Sequence, residues 1–287
     1  MLSPWLELPG ASEKLTSWSD VSGLDLVELG TTASAEEITD TAVTQPLVVA
    51  ATLLAHQELV RRNLLTDADV VAAGHSVGEI AAYAIGGIIS ADDAVALAAT
   101  RGAEMAKACA LEPTGMSAVL GGEETEVLAR LDELELVPAN RNAAGQIVAA
   151  GRLDALAKLA ENPPEKARVR QLATAGAFHT NFMSSALDAY AAAAANVQTA
   201  EPTAVVLSNA DGQPVASAAD AMTKLVAQMT RPVRWDLCTE TLRQRNVTAI
   251  VEFPPAGTLT GIAKRELRGI GTHAVKSPAD LDGLAAF

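Results

Sequence analysis

The stretch Asp69-Val70-Val71-Ala72-Ala73-Gly74-His75-Ser76-Val77-Gly78-Glu79 decides the fold. Asp69 to Ala73 is a short apolar run bounded by turn-forming residues, the pattern of a strand buried on both faces of a parallel sheet. Val77 to Ile85 reads as the helix that follows it. A strand that passes into a helix through Gly-His-Ser-Val-Gly is a nucleophile elbow. The flanking glycines let the backbone pass without side-chain clashes, and Ser76 is held in a strained conformation with its hydroxyl outward. The helix N-terminus then offers backbone N–H groups to a developing oxyanion, with Val77 as the first donor. A bare G-x-S-x-G also occurs in plain Gly-Ser turns, but the strand before and the helix after favour the catalytic reading.

Outward from the elbow, Val43 to Arg62 carries apolar residues at helical spacing. Ser90 followed by Asp93 has the form of a capping box that opens a helix over Ala91 to Ala110, before Pro113. From Met116 the texture changes. A strand (Met116 to Leu120), a helix (Glu124 to Leu134), two strands around Val137 and Gln146 to Ala150, a helix (Leu153 to Glu161) and a strand (Ala167 to Leu172) give the βαββαβ order of a ferredoxin-like unit. Beyond it, helices are expected over Asn181 to Asn196, Ala219 to Met229, Leu237 to Gln244 and Leu259 to Leu267, with strands at Ala204 to Leu207 and Thr248 to Phe253. The alanine run Ala191 to Ala195 is plain helix rather than linker. The expected fold is therefore α/β: a parallel-sheet, hydrolase-like domain with a nucleophile elbow (1–115 and 175–287) and an inserted ferredoxin-like subdomain (116–174).

Composition limits the function. The 287 residues hold 35 acidic against 21 basic side chains, a net charge of −14, and only 3% aromatics. That balance argues against nucleic acid, which needs a basic face and stacking platforms. The basic groups Arg61 with Arg62, Lys166 with Arg168 and Arg170, and Lys264 with Arg265 and Arg268 read as solvated helix ends and edge-strand guards. Cys109 and Cys238 suggest neither a disulfide framework nor a zinc site. Met1 to Lys14 lacks the pattern of a secretory signal, and no apolar run reaches the roughly 18 residues of a membrane span. A cytoplasmic monomer without metal or membrane contact is expected.

A serine hydroxyl needs a base, and four histidines are available: His56, His75, His179 and His273. His75 adjoins Ser76, so its ring should point away from the hydroxyl. His56 lies mid-helix and reads as a packing residue. His179, in Gly-Ala-Phe-His-Thr at a strand-to-helix junction, occupies a loop that can present a catalytic side chain. His273 has a similar setting, and position favours His179 over it. Glu79, one residue past the elbow, reads first as a helix first-turn charge, and second as a partner for Arg101.

These residues resemble the malonyl-CoA:acyl carrier protein transacylase family of type II fatty-acid synthesis over nearly the whole chain. The resemblance rests on Gly-His-Ser-Val-Gly-Glu at 74–79, Thr-Arg-Gly-Ala-Glu-Met around Arg101, Gly-Ala-Phe-His-Thr around His179, and Val-Pro-Ala-Asn-Arg-Asn at 137–142. It extends to Leu-Ser-Asn at 207–209, Gln-Met-Thr-Arg-Pro-Val-Arg-Trp at 228–235, and Pro-Pro-Ala-Gly-Thr-Leu-Thr-Gly at 254–261. The wording is closest to actinobacterial members, mycobacterial ones in particular. The resemblance implies ping-pong transfer of a malonyl group from coenzyme A to the phosphopantetheine thiol of acyl carrier protein, in fatty-acid and mycolic-acid synthesis. Ser76 would be the nucleophile and His179 its base, oriented by the Gln228 backbone carbonyl, while Arg101 would hold the malonyl carboxylate. No cofactor is implied beyond the coenzyme A thioester and the arm carried by the partner.

Asn140, Asn142 and Asn209 are candidate hydrogen-bonding groups of the acyl pocket, with His75 and Phe178 beside them, although asparagines near such turns are more often turn formers. Two readings from other classes stand beside this one. A serine esterase would need an acidic third member, for which Asp154 is the nominal choice, and a carrier-protein docking module would have lost its chemistry. The family also begins with a strand and a Gly-Gln-Gly loop that supplies a second oxyanion donor. Nothing similar precedes Ser3-Pro4-Trp5, so a poor catalyst is expected from the sequence as it stands.

Overall fold

A computed structural model describes residues 1–64 and 69–286. The first forty residues, in which no elements are legible by periodicity, form a 3₁₀ turn at Ser3–Trp5 and three short helices, α1 (Ala11–Ser22), α2 (Leu26–Thr31) and α3 (Ala35–Thr39). Local caps start two of them: the Asp25 carboxylate accepts from the Glu28 amide, and Ser34 with Glu37 forms a complete capping box. Trp5 and Trp18 are fully buried and anchor the segment to the main core. α4 (Thr41–Arg61) follows, capped by Asp40. It buries Leu47, Val49, Ala50, Ala51, Leu53, Leu54 and Ala55, which together wrap around its axis and make it a central helix.

The elbow strand β1 is shorter than expected, Val71–Ala72, and pairs in parallel with β6 (Val205–Val206). α5 (Gly78–Ile85) leaves the elbow, and α6 (Ala91–Cys109) begins where the Ser90 hydroxyl accepts from the Asp93 amide. Next come β2 (Thr114–Gly121), α7 (Glu124–Glu133), β3 (Val137–Ala143), β4 (Gln146–Arg152), α8 (Leu153–Glu161) and β5 (Ala167–Gln171). Their strands form one antiparallel sheet in the order β3-β4-β2-β5, the ferredoxin-like arrangement expected from βαββαβ. Val119 sits opposite both Ile147 and Val169, and these side chains meet Val127, Leu131, Leu156 and Leu159 from the two helices in a small separate core.

The helix expected from Asn181 divides into a 3₁₀ segment (Asn181–Ala186) and α9 (Leu187–Ala195), because the Thr180 hydroxyl accepts from the Phe182 amide and tightens the first turn. α10 (Ala218–Ala227) likewise ends in a 3₁₀ turn, Gln228–Thr230. The remaining elements are α11 (Trp235–Gln244), β7 (Ala249–Glu252), α12 (Thr258–Glu266) and β8 (Gly271–Ala274), a strand with too little apolar alternation to be foreseen. β8 pairs in parallel with β7.

The parallel sheet is thus in two pieces. Among the described residues, β1-β6 and β7-β8 share no ladder, and a cleft of about 1760 Å³ is bordered by both, with Val71, Val205 and Ile250 on its walls. Lys166, Arg168, Arg170, Lys264, Arg265 and Arg268 are exposed, as expected of solvated groups, while Arg61 and Arg62 bind Glu58 and Arg62 also binds Asp282. Among the described residues no helix is long and apolar enough to cross a membrane.

Candidate active site

Ser76 lies at φ 54°, in the left-handed region that a serine avoids unless its surroundings impose it. The turn is tight only on one side. A Cβ on Gly74 would come within 2.0 Å of the Gly78 carbonyl oxygen, so residue 74 must be glycine, whereas a Cβ on Gly78 would meet nothing within 4 Å. The clash expected at both flanking positions therefore exists at Gly74 alone. Asn209 braces the turn from across the sheet: its Nδ2 donates to the Gly74 carbonyl at 2.7 Å and its Oδ1 accepts from the Ser76 amide at 2.8 Å. It lies in the turn after β6, closed by the Gly212 amide donating to the Ser208 carbonyl, and both ends of its side-chain amide are spent on the elbow. The Val77 amide, at the entrance of α5, donates to no acceptor among the described residues.

His179 is the histidine that reaches the serine. Its Nε2 lies 2.7 Å from Ser76 Oγ, and its Nδ1 lies 2.8 Å from the Gln228 backbone carbonyl. A carbonyl oxygen can only accept, so Nδ1 carries the proton and Nε2 is left as the acceptor that a general base needs. His179 is itself at φ 60° and only 2% exposed, so both partners of the pair are held in the left-handed region. Burial, aided by the nearby charge of Arg101, pushes its pKa down to about 3, against the pull of the Gln228 carbonyl. The ring is neutral throughout the ordinary working range, not merely above pH 6 to 7 as an ordinary imidazole would be. Stability follows the same sign. As pH falls from 6.5 toward 3 the unfolded chain takes up a proton that the folded site refuses, and that part of the stability is lost.

The other histidines are committed elsewhere. His56 packs edge-on against Phe253, His273 bonds to the Asp280 carbonyl, and His75 Nε2 lies 2.8 Å from Asn142 Oδ1 with its ring tilted on Trp235. Asp154 is exposed at the start of α8, and His179 Nδ1 bonds a carbonyl, so no carboxylate completes a triad.

Arg101 projects from α6 into the site and is 1% exposed. Its Nη1 donates to Gln45 Oε1 at 2.6 Å, and its Nη2 donates to Gln228 Oε1 at 2.9 Å and to Ser76 Oγ at 3.3 Å. Its Nε has no partner among the described residues. Glu104, three residues on along α6 and so at ion-pair spacing, binds Lys107 instead. Glu79 is not the solvated first-turn charge expected by default. It is fully buried, it accepts from the Asn209 amide and the Gln228 side-chain amide, and burial pushes its pKa up to about 7.

Gln45 is the residue that sequence reasoning missed; its one signal is an amide within an otherwise apolar stretch of a central helix. Asn140 and Asn142 lie buried on β3 rather than in turns, and Phe178 is half-buried between two apolar clusters. Among the described residues no group of three His, Cys, Asp or Glu side chains is placed to hold a metal ion.

A hydroxyl between a neutral imidazole and a guanidinium can accept an acyl group and hold an anion next to it. Known proteins share this arrangement of chain. The model of the acyl transferase domain matches residues 12–279. The malonyl CoA-acyl carrier protein transacylase of Mycobacterium tuberculosis is 76% identical over 285 residues, covering 99% of this chain and 94% of the relative. That of Mycolicibacterium smegmatis is 76% identical over 288 residues, covering 99% of each. A crystal structure of the MCAT of Mycobacterium tuberculosis superposes with a TM-score of 0.97, at 76% identity, over 99% of this chain and 94% of that one. A malonyl-transacylase solved in complex with a type II PKS acyl carrier protein is 27% identical and superposes at 0.91, over 99% and 94%.

Proposed function

The chain belongs to the acyl transferase domain family, and from that premise we infer that it is a malonyl-CoA:acyl carrier protein transacylase that carries its acyl group on Ser76. One observation carries the reading: Ser76 Oγ is within hydrogen-bond reach of both His179 Nε2 and Arg101 Nη2. A base alone would serve any serine esterase. A buried guanidinium beside the hydroxyl serves an acyl group that bears its own anion close to the reacting carbonyl.

In the first half-reaction His179 Nε2 takes the Ser76 proton as Oγ attacks the thioester carbonyl. The Val77 N–H stabilises the oxyanion, the C–S bond breaks, and the proton passes from His179 to the departing coenzyme A sulfur. In the second, His179 takes the proton of the carrier protein's phosphopantetheine thiol. Its sulfur attacks the acyl-serine, the C–Oγ bond breaks, and Ser76 is reprotonated. The Gln228 carbonyl keeps His179 in the required tautomer throughout. The planar fork of Arg101, with its Nε unspent, holds the malonyl carboxylate.

His75, Asn140, Asn142 and Phe178 would line the acyl pocket. Residues 116–174 form the inserted unit in this reading and contribute Asn140 and Asn142 to it. The reaction runs in the cytoplasm on soluble partners.

The test is to mix the protein with malonyl-CoA and holo-acyl carrier protein and follow both substrates. Malonyl should reach the carrier with parallel-line, ping-pong kinetics. Release of free malonate without transfer, or faster hydrolysis of a neutral ester, would contradict the assignment.

The pH profile isolates the base. With an uncharged donor such as acetyl-CoA, kcat/KM for acylation should stay level from pH 8 down to about pH 5, because the buried imidazole does not protonate there. A decline centred between pH 6 and 7, that of an ordinary imidazole, would contradict a base held neutral by burial.

A further inference from the structure

We propose that Glu79 is a positioning residue for malonyl recognition: it holds the Gln228 side-chain amide with its oxygen toward Arg101, and so keeps the guanidinium turned to the site. The inference rests on the reading that Arg101 takes the malonyl carboxylate.

The case is one of donors and acceptors. Two N–H groups converge on Glu79 from opposite sides: the Asn209 backbone amide, 2.7 Å from Oε1, and the Gln228 Nε2 group, against Oε2. Gln228 Nε2 has two further oxygens around it, Asn209 Oδ1 and the Ser76 carbonyl, each at 3.2 Å. That set of neighbours requires the nitrogen on that side, and therefore leaves Gln228 Oε1 facing Arg101 Nη2 at 2.9 Å. The amide bridges a buried cation and a buried carboxylate, with its dipole aligned to both. The Tyr83 hydroxyl, 3.5 Å from Oε1, is a third and weaker donor, and only a side chain with two acceptor oxygens satisfies the two N–H groups together. A glutamine at 79 has one oxygen, and the Asn209 N–H, being backbone, cannot turn away. The donor conflict then falls on Gln228, which the Asn209 and Ser76 oxygens keep from rotating, so it is displaced and its oxygen offers Arg101 a poorer acceptor. The Gln228 backbone carbonyl that orients His179 is fixed by the main chain and is untouched.

Glu79 also supplies a pH signature. The titratable groups that face it are Tyr83 on its own helix, Arg101 on α6, Tyr190 on α9 and Cys238 on α11. Burial pushes both tyrosines and the thiol above their usual ranges and lowers the Arg101 guanidinium, which as an arginine remains a cation. Glu79, pushed up to about 7, is the one among them that changes charge near neutrality. Protonation would convert one of its acceptors to a donor and release the same lock.

The experiment compares Glu79→Gln, Glu79→Asp and Arg101→Ala with the unmodified protein, measuring kcat/KM for malonyl-CoA and acetyl-CoA and thermal midpoint. Glu79→Gln should raise KM for malonyl-CoA by roughly tenfold, the scale of one hydrogen bond to a charged group, and leave acetyl transfer within about twofold. Glu79→Asp, which keeps the two acceptors although it packs less well, should retain more of the malonyl preference than Glu79→Gln. In the unmodified protein that preference should weaken below about pH 7, and in Glu79→Gln it should be flat with pH. Equal losses for both donors, or Gln retaining more preference than Asp, would overturn the proposal and leave Glu79 a packing residue. If Glu79→Gln fails to fold, the Asp variant decides by itself: folded protein that has lost the preference overturns the proposal. If Arg101→Ala leaves the preference intact, the underlying reading of Arg101 fails instead.

Discussion

Replacing Ser76 with alanine abolishes the malonyl-enzyme and lowers transfer to acyl carrier protein by about 10⁴- to 10⁶-fold, the scale of removing a nucleophile whose partners act as a unit. The fold should persist. Ser76 is half-buried, its turn is held by the Asn209 brace and by the close approach of Gly74 to Gly78, and neither device uses the hydroxyl. Alanine inherits the same left-handed backbone, so the thermal midpoint should move by no more than a few degrees, as expected for a change under about 1 kcal/mol. Circular dichroism melts alongside transfer assays check both halves. A variant that retains covalent malonyl would show that the acyl carrier is another residue.

Arg101→Ala should shift selectivity from malonyl toward uncharged acyl groups. Leaving a carboxylate without its partner in a buried pocket costs about 3–5 kcal/mol, whereas acetyl transfer loses no ion pair. The guanidinium also serves Gln45 and Gln228, so the variant will lose some stability and some activity toward every substrate. The informative quantity is therefore the ratio of kcat/KM for malonyl-CoA to that for acetyl-CoA, which should fall by roughly 10²- to 10³-fold. Equal losses for the two donors would make Arg101 structural.

The Ser76 prediction was within reach of the sequence because its residues sit in one contiguous, patterned stretch, whereas the role of Arg101 was implied only by the resemblance to the family. The strand-glycine-helix pattern around Ser76 and the βαββαβ order after Met116 are local signals, and each corresponds to an element in the structure. Position in a loop favoured His179 over His273, and a 2.7 Å contact with Ser76 distinguishes them. What escaped the sequence is what burial and distance create. Glu79 and Gln228 lie 149 residues apart, and Arg101 and Gln45 lie 56 apart, so no spacing rule joins them. A glutamate in the first turn of a helix has one sequence signature whether it faces solvent or a buried amide. The helices of the first forty residues are too short for hydrophobic periodicity and depend on caps at Asp25 and Ser34. The depressed pKa of His179 comes from its being only 2% exposed beside Arg101, which composition does not record.

Acylation of one hydroxyl is the central claim, and mass spectrometry of the intact protein after brief mixing with malonyl-CoA reads it directly. The account predicts the gain of a single malonyl group, mapped by peptide digestion to Ser76, discharged by holo-acyl carrier protein and absent from the Ser76→Ala variant. No mass gain while malonyl still reaches the carrier, or a malonyl group mapped to any other residue, would contradict it.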